Sequence, residues 1–140
     1  MTASLGVAVI GAGMAGKAHA AAYRAASTLY SPVLPEIRLV AIGDVYAPLG
    51  EETAKRFGFE RHVADWRDIA AADDIDVVSV VVANSLHREI VEGLLAAGKH
   101  VYCEKPLAME LAQAEALIAQ AEAAGLTLAT APANGLSDTH

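Results

Sequence analysis

Three groups of residues in this 140-residue sequence have the types and spacing for chemistry on a ligand that carries phosphates and ribose. The first is Gly11-Ala12-Gly13-Met14-Ala15-Gly16, a G-x-G-x-x-G run where a stretch of strand character turns into one of helical character. Gly11 permits a tight turn, Gly13 lets a pyrophosphate come up against the backbone, and Gly16 lets the helix sit close to the strand. The anion would then rest on the open N–H groups of the Gly13, Met14 and Ala15 region, at the positive end of the helix. The second is Asp44, placed after Gly43 at the end of the next β-branched run. A carboxylate there can accept hydrogen bonds from ribose hydroxyls and would repel a 2′-phosphate. Val45 and Tyr46, rather than Arg or Lys, follow it, so the sequence favours NAD over NADP. The 28 residues from Gly16 to Asp44 exceed the usual ~20, and a loop holding Pro32 and Pro35 can absorb the excess. The third group lies further on, with Asn84 and His87 after one apolar run and Glu104-Lys105-Pro106 after the next. Lys105 could donate to a substrate hydroxyl or carbonyl beside a nicotinamide, or take up acid–base work if desolvated. A plain surface lysine fits the composition equally well, and a first-turn histidine such as His87 often makes only a local hydrogen bond.

These residues need a scaffold, and the chain supplies one by alternating six short β-branched runs with segments of helical period. That alternation is the mark of a parallel sheet wrapped by crossover helices, an α/β, doubly wound, six-stranded arrangement with helices on both faces. Strands are expected over 5–10, 37–42, 61–63, 77–82, 100–103 and 126–130. An alanine-rich helix is expected over 14–26, and Leu49, Thr53, Ala54 and Phe57 share one face of the next, which Gly58 can end. Asp65 should cap a helix over 66–72. Ser85 should cap another, whose Leu86, Ile90, Val91, Leu94 and Leu95 form a buried stripe stopped at Gly98. The last helix, 110–124, is expected to turn Leu111, Ala114, Leu117, Ile118 and Ala121 inward before Gly125. In an open parallel sheet ligands bind beyond the carboxyl ends of the strands, and Gly11, Asp44, Asn84, His87 and Lys105 all fall on that edge. Asp73, Asp74 and Asp76 precede a strand and so belong to the opposite edge, where they read as a solvated loop. The histidines show no shared ligand spacing, and no metal is expected.

Composition narrows the classes further. Ten Lys plus Arg against 17 Asp plus Glu give a net charge of −7, a poor match to a phosphate backbone, so nucleic acid is not an expected partner. Hydrophobic residues make up 54% and mean hydropathy is +0.35, yet no run nears the ~18–20 apolar residues of a membrane span. The start of the sequence has no basic region of the kind that opens a signal peptide, and a cytoplasmic location is expected. Cys103 is the single cysteine, which excludes an internal disulfide and a multi-thiolate metal site; on a buried strand it reads as a small hydrophobe. The length suits one domain. We expect it over 1–130, with 131–140 a tail or the start of a linker, since Pro132 and Asn134-Gly135 there carry turn chemistry and no period.

Taken in order, Gly11-x-Gly13-x-x-Gly16, His19, Asp44, Asn84-x-x-His87 and Glu104-Lys105-Pro106 closely resemble the N-terminal half of the Gfo/Idh/MocA oxidoreductases, the family of glucose–fructose oxidoreductase and inositol dehydrogenase. The likeness covers about residues 5 to 130. It implies a Rossmann domain that binds NAD, with NADP the lesser expectation, and hydride exchange with a sugar, cyclitol or related hydroxyl compound. By the same resemblance Lys105 orients the reacting substrate oxygen and the nicotinamide, Glu104 supports the cofactor end of the site, and Asn84 and His87 line the cofactor cleft. The family usually has Thr-Pro before that Asn, where this chain has Val82-Ala83. Family members continue into a second α/β domain that forms the substrate pocket. The expectation is therefore an NAD-dependent dehydrogenase half that is inactive alone and whose uncovered face takes a partner domain or a second copy. Alternatives are a stand-alone dinucleotide-binding module, as sensor or subunit, a methyltransferase using S-adenosylmethionine, and a flavoprotein. The glycine spacing and Glu104-Lys105-Pro106 weigh against the methyltransferase, and nothing indicates a flavin ring site.

Overall fold

Along the first strand Val7 and Val9 turn to one side and Ala8 and Ile10 to the other, all buried, so this strand must lie inside a sheet covered on both faces. The computed structural model, which describes residues 4–29 and 36–131, shows that sheet. Its six strands are β1 (Leu5–Ile10), β2 (Ile37–Gly43), β3 (Arg61–Val63), β4 (Val77–Val80), β5 (His100–Glu104) and β6 (Leu128–Ala131). They lie in the order β3-β2-β1-β4-β5-β6, and every pairing is parallel. The helices are α1 (Met14–Leu29), α2 (Ala47–Phe57), α3 (Trp66–Ala70), α4 (His87–Ala96) and α5 (Leu111–Ala124), with a 3-10 turn over Asn84–Leu86.

Each crossover returns on the side its direction demands. Chain order runs outward from β1 to β3, jumps back to β4 beside β1, and runs outward again, so α1 and α2 cover one face and α3, α4 and α5 the other. Val7, Val9, Ala20, Leu39, Ile42 and Ala54 form the core under α1 and α2. Ala8, Ile10, Val78, Val80, Leu94 and Leu117 belong to the larger core under α3 to α5. Each large aliphatic side chain buried there contributes on the order of 1.5–3 kcal/mol. The jump from β3 to β4 leaves a crevice between the ends of β1 and β4, the place where this topology holds ligands.

Local signals act as their chemistry requires, with some departures. Asp65 accepts from the Arg67 amide at 2.9 Å and caps α3, and Gly58 and Gly125 adopt the left-handed conformation that closes α2 and α5. Strand β4 ends at Val80 rather than at 82, and Val81 and Val82, packed against the two cores, line the crevice. Ser85 caps nothing: it lies inside the 3-10 turn, and α4 begins at His87 without a side-chain cap. The expected inward positions of Leu86, Leu111 and Ile118 are wrong, since they are 46%, 75% and 47% exposed. The other inward positions expected in α5 hold: Leu117 and Ala121 are buried in the core and Ala114 packs against it, the two alanines letting the helix lie close. Asp74 pairs with Arg61 at 3.0 Å, and Asp76 accepts from the Gly6 amide at 2.9 Å, so the acidic segment braces the amino-terminal edge of the sheet. The Pro32/Pro35 loop lies outside the described residues, as does the expected tail apart from Ala131, which closes β6.

Candidate functional site

The glycine run acts through what its missing side chains allow. Gly11 has φ of +109°, and a Cβ on it would strike the Val81 carbonyl of the neighbouring segment. At Gly16 a Cβ would collide with the Gly11 carbonyl oxygen, so helix α1 can sit against β1 only with glycine there. Around Gly13 a Cβ would meet nothing within 4 Å, which leaves open space above the backbone. The helical ladder starts with the Lys17 amide donating to the Gly13 carbonyl at 2.9 Å, and the amides of Met14, Ala15 and Gly16 have no acceptor within the helix. A diphosphate fits this cradle: space at Gly13, amides directed outward and the positive end of a 16-residue helix behind them.

Asp44 leaves β2 beside that cradle. Its Oδ2 accepts from the Ala12 amide at 2.9 Å and its Oδ1 from the Tyr46 amide at 2.8 Å, which fixes the carboxylate plane against the glycine loop. Each carboxylate oxygen has a further lone pair, so two ribose hydroxyls remain within its capacity. His62 of β3 contacts the Asp44 carbonyl at 2.9 Å through Nε2, and a Cβ at Gly50 would run into that ring. Beyond Asp44 opens a cavity of about 580 Å³ bounded by Ile10, the glycine loop, Val45, Val82 and Ile90 on the strand and α4 sides. Trp66 and Arg67 close its outer wall; the sequence reading had not placed them at the site. The Arg67 guanidinium lies 5.1 Å from the centre of the Trp66 ring and is held by Asp65 and Glu89, each at 3.3 Å. The strand-end rule that found Asp44 applies equally after β3, and residues 64–67 follow β3 directly.

The other expected residues gather at the ends of β4 and β5. Asn84 opens the 3-10 turn and is exposed, and Lys105 is exposed just past β5. Glu104 meets His19 of α1 at 3.2 Å, Oε2 to Nε2, and the His19 ring lies against Tyr102. His87 departs from expectation. It is 1% exposed, with Nδ1 2.6 Å from the Pro106 carbonyl and Nε2 2.9 Å from the Val82 carbonyl, so it forms part of the frame rather than the cleft wall. Below them Cys103 is buried, and desolvation together with the nearby Glu104 charge pushes its thiol up to about 12. Tyr23 of α1 shares a 2.6 Å hydrogen bond with the buried Ser79 hydroxyl, and burial raises its phenol above the ordinary value.

A parallel sheet in this order, with a glycine cradle at the first turn and an acid at the end of the second strand, defines a dinucleotide-binding Rossmann domain. The model of the oxidoreductase family with an NAD-binding Rossmann fold, GFO_IDH_MocA, matches residues 5–131. The chain belongs to that family. Levoglucosan dehydrogenase of Pseudarthrobacter phenanthrenivorans is 44% identical over 107 residues, which are 75% of this chain and 27% of the relative. Inositol 2-dehydrogenase of Rhizobium meliloti is 32% identical over 118 residues, 84% of this chain and 32% of the relative. Among solved structures, an NAD-binding oxidoreductase from Klebsiella pneumoniae superposes with a TM-score of 0.87 at 38% identity, over 92% of this chain and 34% of that one. A levoglucosan dehydrogenase in complex with NADH gives 0.84 at 36% identity, over 90% and 34%. The chain thus spans about a third or less of the length of these relatives. Among the described residues no helix is long and apolar enough to cross a membrane.

Proposed function

We propose that this chain is the dinucleotide-binding part of an NAD-dependent dehydrogenase whose substrate is a sugar, cyclitol or related hydroxyl compound. The observation that carries this reading is Asp44, bonded to the Ala12 amide of the glycine loop and lining the cavity. The first-turn amides of α1 hold the diphosphate, Asp44 takes the ribose hydroxyls, and the cavity walled by Trp66, Arg67 and Ile90 receives the adenine. The Asp44 charge repels a 2′-phosphate, which supports NAD over NADP. When bound, NAD supplies the hydride acceptor. Lys105 extends past β5 and donates a hydrogen bond to the substrate oxygen, orienting the carbon that gives up hydride. Glu104, set by His19, and the exposed Asn84 frame that end of the site.

Residues 1–130 work as one cofactor-binding unit on this reading, with 131–140 leading away from it. The edge bearing the exposed Met14, Leu86 and Met109 is where a substrate-covering domain or a second copy packs. A lone buried cysteine suits a reducing cytoplasm. Calorimetric titration of the chain with NAD, NADP and S-adenosylmethionine tests the reading. NAD binding well ahead of the other two supports it, and a folded chain that binds none of them, or prefers S-adenosylmethionine, overturns it. Lys105→Met should bind ADP-ribose as the parent does, while polyol-dependent formation of NADH, wherever the parent shows it, disappears. Unchanged turnover in that variant removes Lys105 from the mechanism.

A further inference from the structure

Residues 105–110 belong to no helix or strand, yet Lys105 can orient a substrate only if its backbone has a fixed place. Leu107 and Ala108 sink into the core just beyond it, an apolar anchor that resists withdrawal but has no direction of its own. Two histidines supply directional contacts, one on each side of Lys105. On the near side, His19 meets Glu104 at 3.2 Å, with side chains 13% and 14% exposed. On the far side, the His87 ring spans the Pro106 carbonyl at 2.6 Å and the Val82 carbonyl at 2.9 Å.

We propose that His87 is the positioning residue for Lys105, tying the turn that carries the lysine to the exit of β4, where Asn84 sits. The inference rests on the reading that places Lys105 beside the nicotinamide. A buried imidazole is costly to desolvate, and an apolar ring of similar shape would pack the same space at less cost, so what the ring adds is its hydrogen bonds. Both partners are backbone carbonyls of loops that leave adjacent strands, β4 and β5. Because a carbonyl only accepts, a doubly protonated ring donates to both, and a neutral ring donates to one. The tie to Pro106 requires the hydrogen on Nδ1, since that carbonyl can only accept. Through Val82 the lysine turn is referred to the cavity wall, and through Glu104 and His19 it is referred to α1, the helix that carries the phosphate cradle. The two ends of the dinucleotide site are thereby held in one frame.

The test uses the whole chain and two variants, His87→Phe, which keeps a ring without donors, and His87→Gln, which keeps a single donor group. Three quantities are measured: the nitrogen-15 shifts of the His87 ring, amide hydrogen exchange at Lys105 and Leu107 without ligand, and affinities for ADP-ribose and NADH. ADP-ribose reads the cavity and cradle, and NADH adds the end near Lys105. The expected results are a hydrogen on Nδ1 in the parent and exchange at Lys105 and Leu107 faster by about tenfold in His87→Phe, the change one typical hydrogen bond makes. ADP-ribose affinity stays unchanged in that variant, the extra affinity for NADH is lost, and His87→Gln falls between. Unaltered exchange and an unaltered NADH preference overturn the proposal, as does an Nδ1 without hydrogen. Loss of the folded state in both variants also overturns it, because His87 is then a core residue. If the parent does not bind ADP-ribose, the dinucleotide reading fails instead, while ring shifts and exchange still decide the role of His87.

Discussion

Replacing Asp44 with alanine separates two jobs that one carboxylate performs. In the free protein Oδ2 accepts from the Ala12 amide at 2.9 Å, and Ala12 is fully buried. Removing the acceptor leaves that N–H without a partner, a cost of about 1–3 kcal/mol. The Tyr46 amide, whose residue is exposed, can turn to water and loses little. For a chain of this size the loss should lower Tm by about 3–10 °C. On binding, two ribose hydroxyls would lose a charged acceptor, each worth about 1.5 kcal/mol at the low end. Together these weaken NAD by about 3 kcal/mol, a rise in Kd of roughly 150-fold.

Asp44→Asn separates the effects further. An amide oxygen can still receive the Ala12 N–H, so stability should stay near the parent's, while NAD affinity falls and the discrimination against NADP shrinks as the negative charge goes. Calorimetric titration with NAD and NADP at fixed salt, paired with thermal melts, measures both quantities. If Asp44→Ala melts early but binds NAD like the parent, the carboxylate only staples the glycine loop, and the assignment of ribose to Asp44 is refuted.

Gly16→Ala and Gly13→Ala should diverge. The first forces a methyl into the Gly11 carbonyl and destabilises the fold by about 3 kcal/mol. The second meets open space, so Tm should hold while NAD affinity drops; melts and titrations of the two variants check this. Thr53 is fully buried and its Oγ1 has no hydrogen-bond partner among the described residues, so Thr53→Val should be neutral or stabilising by up to about 1 kcal/mol in denaturant unfolding. Cys103, with its thiol pushed up to about 12, should resist alkylation near neutral pH until the chain unfolds. Its folded pKa lies above the unfolded one, so its contribution to stability is complete below about 9 and fades as pH rises toward 12, which a Cys103→Ala comparison by alkaline denaturation reads.

The residues that the sequence made legible are those whose signal is local. Strand β1 lies over the expected residues because Val7, Val9 and Ile10, stopped by Gly11, need no distant partner to be recognised, whereas β3 matches its expected bounds with Val63 as its one β-branched residue. The glycine cradle was legible for the same reason, since each glycine answers to a neighbour fixed by the βα turn or by the adjacent strand. Helix α5 was legible in its bounds and only in part in its inward face, because that face is chosen by how closely the backbone approaches the sheet. Alanine at 114 and 121 permits a near approach, and Leu111 and Ile118 are left outside although hydropathy alone would bury them. Ser85 and His87 both left their expected roles when a 3-10 turn took up Asn84–Leu86. That shift put the serine short of a capping position and drew the histidine under the lysine turn. Trp66 and Arg67 close the cavity from across the crevice, a proximity that strand order brings about and that period along the chain does not encode.

The two ends of the site are built on different principles. At the adenosine end the donors are backbone amides, and Asp44 is already bonded to one of them, so little ordering remains to be paid when a ligand arrives. At the lysine end the functional group is a long side chain on an irregular turn, and its order is borrowed from His87 and from the His19–Glu104 contact. Affinity should therefore reside with the first end and geometric discrimination with the second. Changes at His87 or Lys105 should leave ADP-ribose binding intact, and changes at Gly13 or Asp44 should lower affinity for every dinucleotide that shares the adenosine half. A chain in which both sets of changes weakened ADP-ribose equally would contradict this division, because its loops would then be ordering as one unit.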